Sequence, residues 1–218
     1  MNKISTLSKS LVTGAVLSLA LFSANTFAGP SSKSEKRIGQ PGGSNIVEIA
    51  LAVNKMNGQF SYLLGAVGCF TDEDDNNPVV NLLTGPDKLT LFAPTDAAFI
   101  ALQSAIGIAE PSPEKICGTE EEDGVDDLLG DGTLFTVLAY HLTDGRRFSN
   151  SVFNENNSKE IEMLAGGLIT TTPSLSIIDG FPQVIKPVSE LININASNGV
   201  IHVIDTVMLP FNPFAGDE

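Results

Sequence analysis

The chain has 218 residues, and its 26 aspartates and glutamates outnumber its 12 lysines and arginines to give a formal charge of −14. Such an acidic excess opposes non-specific binding to nucleic acid or to an anionic membrane. The length suits one domain with a sizeable core.

At the N-terminus Lys3 and Lys9 precede an uncharged run from Leu11 to Phe22, and Thr26-Phe27-Ala28 sets small residues at the −3 and −1 positions of a cleavage site. The run has 12 residues, short of the ~20 that a membrane-spanning helix needs. Residues 1–28 therefore read as a secretory signal peptide, and the protein is expected to be secreted, extracellular or periplasmic. Its removal takes away two lysines and no acid, so the charge becomes −16 over the remaining 190 residues. No later run is long and apolar enough to suggest a span. Residues 29–44 are rich in Gly, Pro and Ser and read as a flexible leader.

From Asn45 the apolar residues Ile46, Ile49, Ala50 and Val53 recur at helical spacing, with Ser44 or Asn45 available as cap. A second short helix is expected over Phe60 to Val67, ended by Gly68. Lys88 to Phe92 alternates and reads as a strand. Pro94 stops it, Thr95 caps a helix that begins at Asp96, and Phe99, Leu102 and Ile106 form that helix's apolar stripe up to Gly107. Leu134 to Tyr140 reads as a further helix. The last third is β-rich, with short strands at Leu168–Thr172, Ser174–Ile178 and Phe181–Val188 and a turn at Asp179-Gly180. Asn198-Gly199 is a strong hairpin signal joining Leu191–Ala196 to Val200–Leu209, and Pro210 closes the sheet. Helices gather early and strands late, so the fold class is α+β with a mainly antiparallel sheet system.

Two cysteines, Cys69 and Cys117, are an even count, which in an exported chain favours a disulfide over two separate buried thiols. They flank acidic clusters. Asp72-Glu-Asp-Asp75 follows the first, and Glu120-Glu-Glu-Asp123 with Asp126, Asp127 and Asp131 follows the second. Oxygen ligands in such number suit calcium, but the spacing lacks the glycine and distal glutamate of an EF-hand, so a solvated acidic surface is the plainer reading.

Both histidines have ordinary structural readings. His202 shares an apolar strand face with Val200 and Ile204, where a lone histidine is usually buried with a hydrogen-bond partner. His141 follows Tyr140 at a helix-to-strand junction. No nucleophile elbow, His-Glu-x-x-His, Walker loop or paired metal-ligand motif is present. His202 and Asp205, three apart on a strand, face opposite sides and form no dyad. The chain is expected to be no enzyme and to carry no cofactor.

Three segments resemble the fasciclin-like (FAS1) family. The first conserved box is similar to Leu89-Thr-Leu-Phe-Ala-Pro-Thr-Asp-Ala-Ala-Phe99, the central pair to Tyr140-His141, and the second box to Asn198-Gly-Val-Ile-His-Val-Ile-Asp205 with the run to Pro210. Order and spacing agree from about Asn45 to Pro210, implying one FAS1-like domain over 45–212 with a tail at 213–218. The resemblance implies a wedge of two mainly antiparallel β-sheets with helices packed on one side. It also implies a non-catalytic adhesion module, here expected to be a monomer, whose partner is a cell-surface or matrix protein or a polysaccharide. In animal members, integrin contact is attributed to the Tyr-His segment with its aliphatic flanks and to an Asp-Ile pair before the second box. Tyr140 and His141, with Leu138 and Leu142, match the first. Ile194 matches half of the second, because Asn193 stands where the family has its aspartate. The partner-binding candidates are thus Tyr140, His141 and Ile194. Two other functions remain open: a calcium-responsive binding protein using the acidic loops at 72–75 and 120–131, and, more remotely, an extracytoplasmic hydrolase.

Overall fold

Asn45, not Ser44, opens the first helix. Its side chain accepts from the Glu48 N–H and the Glu48 carboxylate accepts from the Asn45 N–H, both at 2.9 Å, a reciprocal box that satisfies two orphan donors. In the computed structural model, which describes residues 43–72, 76–119, 122–130, 132–154 and 156–214, this helix is α1 (Ile46–Asn57), and it buries the expected Ile46, Ile49, Ala50 and Val53. The expected signal peptide, all but the end of the expected leader, the end of the expected tail, and Glu73, Asp74, Asp75, Glu120, Glu121 and Asp131 lie outside the described residues.

α2 (Ser61–Gly68) follows as expected. α3 (Pro78–Thr84) does not follow from the apolar pattern; it rests on Asn77, whose side chain accepts from the Val79 and Val80 N–H groups at 3.0 Å, and on Pro78 in the first turn. β1 (Leu89–Pro94) leads through the Thr95 cap into α4 (Asp96–Ala105), which buries Phe99 and Leu102. Asp96 does more than favour its own helix dipole: its carboxylate accepts from the Tyr62 N–H at 3.0 Å, tying the start of α4 to the first turn of α2. A 3-10 turn at Pro113–Ile116 precedes Cys117, which is disulfide-bonded to Cys69 at the end of α2.

α5 (Val125–Leu129), α6 (Thr133–Tyr140), β2 (Leu142–Asp144) and α7 (Ser149–Val152) complete the first two thirds. Six strands remain: β3 (Lys159–Glu162), β4 (Leu168–Thr171), β5 (Ile177–Ile178), β6 (Val184–Ile185), β7 (Ile194–Ala196) and β8 (Gly199–Ile204). They form two four-stranded sheets, ordered β2-β1-β8-β7 and β3-β4-β5-β6. The fold is α+β, and all pairings are antiparallel except the central one, where β1 and β8 run parallel from Leu89↔Gly199 to Pro94↔Ile204. Both of these strands are buried along their whole length, as a strand covered on both faces must be.

That burial divides the interior in two. Leu89, Leu91, Ala93, Ile201 and Val203 face a core shared with α1 to α4 and α6. Phe92 and Ile204, on the opposite face, join Tyr140, Phe153, Ile161, Ile169, Ile177 and Ile185 in a core against the second sheet.

Three expected boundaries change. β8 ends at Ile204, and the run to Leu209 leaves the sheet. The strands around Asp179-Gly180 shrink to β5 and β6, joined by a five-residue connection, 179–183, in place of a two-residue turn. The β7–β8 hairpin pairs Ala196 with Gly199, so Ser197 and Asn198 make the turn and Gly199 opens the strand. Gly199 is required there for space: a Cβ would sit 2.3 Å from the Leu89 carbonyl oxygen and 2.6 Å from Ile46 Cδ1.

Candidate functional site

Tyr140 and His141 end α6 at the seam between the two cores. Tyr140 is 1% exposed; its ring lies in the second core and its hydroxyl donates to the Leu168 carbonyl at 2.7 Å, fastening α6 to β4. Burial, with the Asp179 carboxylate nearby, raises its pKa above the ordinary tyrosine value. His141 is also 1% exposed. Its Nδ1 lies 2.7 Å from the Val137 carbonyl and its Nε2 accepts from the Met208 N–H at 2.9 Å. A ring between one carbonyl and one N–H is the neutral tautomer protonated on Nδ1. Burial holds its pKa down to about 4, against the opposing pull of the Val137 carbonyl. The His141 carbonyl accepts from Phe92 N–H as well.

These positions correct the expectation that Tyr140 and His141 form a contact surface. Both side chains are closed inside the protein: the Tyr140 hydroxyl is committed to β4, and the His141 ring to the Val137 carbonyl of α6 and to the Met208 N–H, so in this structure they hold elements of the fold together. Ile194, half-buried, packs against the first core.

The residues 207–209 that leave the sheet are held from two sides. His141 takes the Met208 N–H, and the buried Asp179 carboxylate takes the Leu209 N–H at 2.7 Å. Asp179 also accepts from the Gln183 side chain at 2.7 Å. Burial raises its pKa, opposed by the Gln183 amide and the backbone donors. Gly180 lets this segment approach, since a Cβ there would lie 2.4 Å from the Pro210 carbonyl oxygen. The Asp179-Gly180 pair thus serves an anchorage and not a tight turn, a role no local spacing announces.

His202 is fully buried in β8. Its Nδ1 accepts from the Asn193 N–H at 3.3 Å and its Nε2 faces the Arg147 carbonyl at 2.8 Å, which selects the tautomer opposite to that of His141. Burial lowers its pKa. Phe92 stacks on its ring with centroids 5.7 Å apart, and Phe153 meets it edge-on.

The Arg147 carbonyl belongs to a strap, residues 145–148, that crosses the second face of the first sheet. The Thr90 hydroxyl in β1 donates to the Gly145 carbonyl at 2.7 Å and accepts from the Arg147 N–H at 2.8 Å. Asn193, at φ +60°, accepts from the Ser149 N–H at 2.6 Å and donates to its hydroxyl at 2.7 Å, pinning the strap's far end. The Asn193 amide thus uses its acceptor and its donor on Ser149.

Several loop acids are likewise spent locally. Asp126 accepts from the Leu134 N–H at 2.7 Å and the Gly132 N–H at 3.0 Å, capping α6. Asp127 accepts from the Gly124 N–H at 2.7 Å, and Asp72 from the Asn76 N–H at 2.8 Å. Among the described residues no group of three or more His, Cys, Asp or Glu side chains could hold a metal ion. No helix among them is long and apolar enough to cross a membrane.

Comparison with known proteins gives a family. The chain is 32% identical over 165 residues to Protein sll1483 of Synechocystis sp., covering 76% of this chain and 73% of that one. It is 28% identical over 168 residues to Uncharacterized protein sll1735 of the same organism, covering 76% of this chain and 97% of the relative. A solved FAS1 domain pair from the insect cell adhesion molecule Fasciclin I aligns with a TM-score of 0.42 at 13% identity, over 69% of this chain and 45% of that structure, so the chain spans less than half of it. The sequence profile of the fasciclin domain matches residues 73–210, from the acidic loop to the proline that follows the anchored segment, and the chain belongs to the fasciclin domain family.

Proposed function

We propose that this protein is an extracytoplasmic, non-catalytic adhesion module that binds a cell-surface or matrix component. The observation that carries the reading is the fate of the two histidines. Each is buried, neutral, and occupied at both ring nitrogens by backbone groups, so neither is available as a general base or metal ligand. Membership in the fasciclin domain family, the Cys69–Cys117 bridge and the signal-like sequence of residues 1–28 support placing the domain outside the cytoplasm.

The test is adhesion. Purified domain should be retained saturably by native surface preparations of the cells that produce it, and reduced, unfolded domain should not. Equal retention of folded and unfolded protein, or none of either, overturns the reading.

A further inference from the structure

The strap that roofs the first sheet also carries an unusual share of the positive charge. Of the seven lysines and arginines among the described residues, three lie here: Arg146 and Arg147 on the strap, and Lys88, whose carbonyl accepts from the Gly145 N–H at 2.6 Å. Among the described residues none of the three is in an ion pair, and Lys115 and Glu122 form the one such pair. Instead they are held by neutral groups. Arg146 donates to the Asn195 side chain, Lys88 to the Ser197 carbonyl at 3.1 Å, and Arg147 through Nε to the Asp144 carbonyl at 2.9 Å. The four terminal N–H groups of Arg147 have no partner among the described residues. Phe148 is 40% exposed beside them, with the Arg146 guanidinium 5.9 Å from its ring centroid.

We propose that this strap is a docking surface for a carboxylated polysaccharide: Arg147 takes a uronate carboxylate, Arg146 and Lys88 supply the surrounding positive field, and Phe148 takes the C–H face of an adjacent sugar. This rests on the reading of the chain as a binding module and names the class of its partner. The guanidinium fork matches a carboxylate with two parallel hydrogen bonds. An aromatic face is electronegative and receives the weakly positive C–H bonds of a pyranose. A protein partner calls for a larger apolar centre with a polar rim, whereas the strap presents one ring among three cations. The chain's acidic excess repels a polyanion elsewhere, and screening confines each effect to about 8 Å at physiological salt, so the polymer is directed to the strap. The strap is also rigidly prepared, since Thr90, His202 and Asn193 fix its backbone and little ordering entropy is lost on binding.

The probe is polygalacturonate, with a neutral galactan as control, in affinity electrophoresis of the folded, disulfide-bonded protein. Wild type should be retarded by polygalacturonate and not by the galactan, and added salt should release it. Arg147→Gln should weaken binding roughly tenfold, the loss of one charge-assisted hydrogen-bonded pair, with its melting temperature little changed, because the Gln side-chain N–H replaces Nε as donor to the Asp144 carbonyl and the terminal N–H groups removed have no partner among the described residues. Arg147→Lys should recover only part of the affinity, and Phe148→Ala should weaken binding without altering its salt dependence. Equal retardation by the two polymers, or of wild type and Arg147→Gln, overturns the proposal. Adhesion of wild type to the native surface without retardation by polygalacturonate also overturns it while leaving the binding-module reading standing. Self-association abolished by Arg147→Gln in the absence of polymer overturns it in favour of a second copy as occupant. Retardation by polygalacturonate without adhesion to the native surface supports the strap's chemistry and counts against the module reading.

Discussion

Acid should loosen this fold through its histidines before most carboxylates are protonated. His141 has an ordinary pKa of 6.5 and a folded one of about 4. A depressed folded pKa means that the unfolded chain binds the proton more tightly, so the stabilisation is present above pH 6.5 and is lost as pH falls toward 4. At 1.36 kcal/mol per tenfold difference in proton affinity, the full effect is on the order of 3 kcal/mol. About 2 kcal/mol of it should be gone by pH 5. That is a large part of the ~5–15 kcal/mol that holds a domain together. His202, whose pKa is also lowered by burial, adds in the same direction. The raised pKa of Asp179 acts oppositely, since its protonation favours the folded state. With two histidines in the whole chain, few other side chains titrate between pH 8 and 5.5. The assay is a urea midpoint measured across that interval for wild type and for His141→Gln. The amide supplies one donor and one acceptor but no titration, so the variant should show a shallower dependence on pH even if its midpoint at pH 8 is lower. Identical slopes, or a wild type whose midpoint is flat, would refute the reasoning.

Tyr140→Phe removes the hydroxyl that reaches the Leu168 carbonyl and should cost about 1 kcal/mol in chemical denaturation, with adhesion per folded molecule unchanged; lost adhesion at full stability would return Tyr140 to the contact surface. Reduction of Cys69–Cys117, a sequence separation of 48, should cost about 4 kcal/mol on the loop-entropy account, read as a lowered midpoint in reductant. Two thiols that alkylate in unreduced protein would contradict the bridge itself. Gly199→Ala forces a methyl group against the Leu89 carbonyl and Ile46 and should cost on the order of 3 kcal/mol by thermal melting, and a variant within error of wild type would show that the β1–β8 approach is looser than described.

How much of this was legible depended on whether the signal was local. The caps of α1 and α4, the apolar stripes and the β7–β8 hairpin are written in neighbouring residues, and the sequence reading placed them. The parallel pairing of β1 with β8 is not local, although the unbroken burial of Leu89–Pro94 and Gly199–Ile204 explains why two such apolar runs could be central. Asp179-Gly180 and Asn198-Gly199 looked alike as turn signals, and neither glycine has a positive φ. Both sit where a distant backbone passes too close for a side chain, a requirement set by Pro210 in one case and Leu89 in the other. Tyr140 and His141 were recognisable as a pair that matters, but their burial depends on β4 and on Met208, which no spacing around residue 140 reveals. The strap was missed because its carriers, Thr90, His202 and Asn193, come from three separate parts of the chain.

The parallel register also sets an order of events. Leu89 pairs with Gly199, so closing the centre of the first sheet means bringing together residues about 110 positions apart, and such closures are slow relative to local hairpins and helices. Until Gly199 to Ile204 arrives, β1 has no neighbour on that side and both of its apolar faces lack part of their cover. The two cores share these strands, so neither can mature while the other waits. A chain built this way completes neither core until β8 has joined β1, so the two halves of the interior close as one cooperative unit.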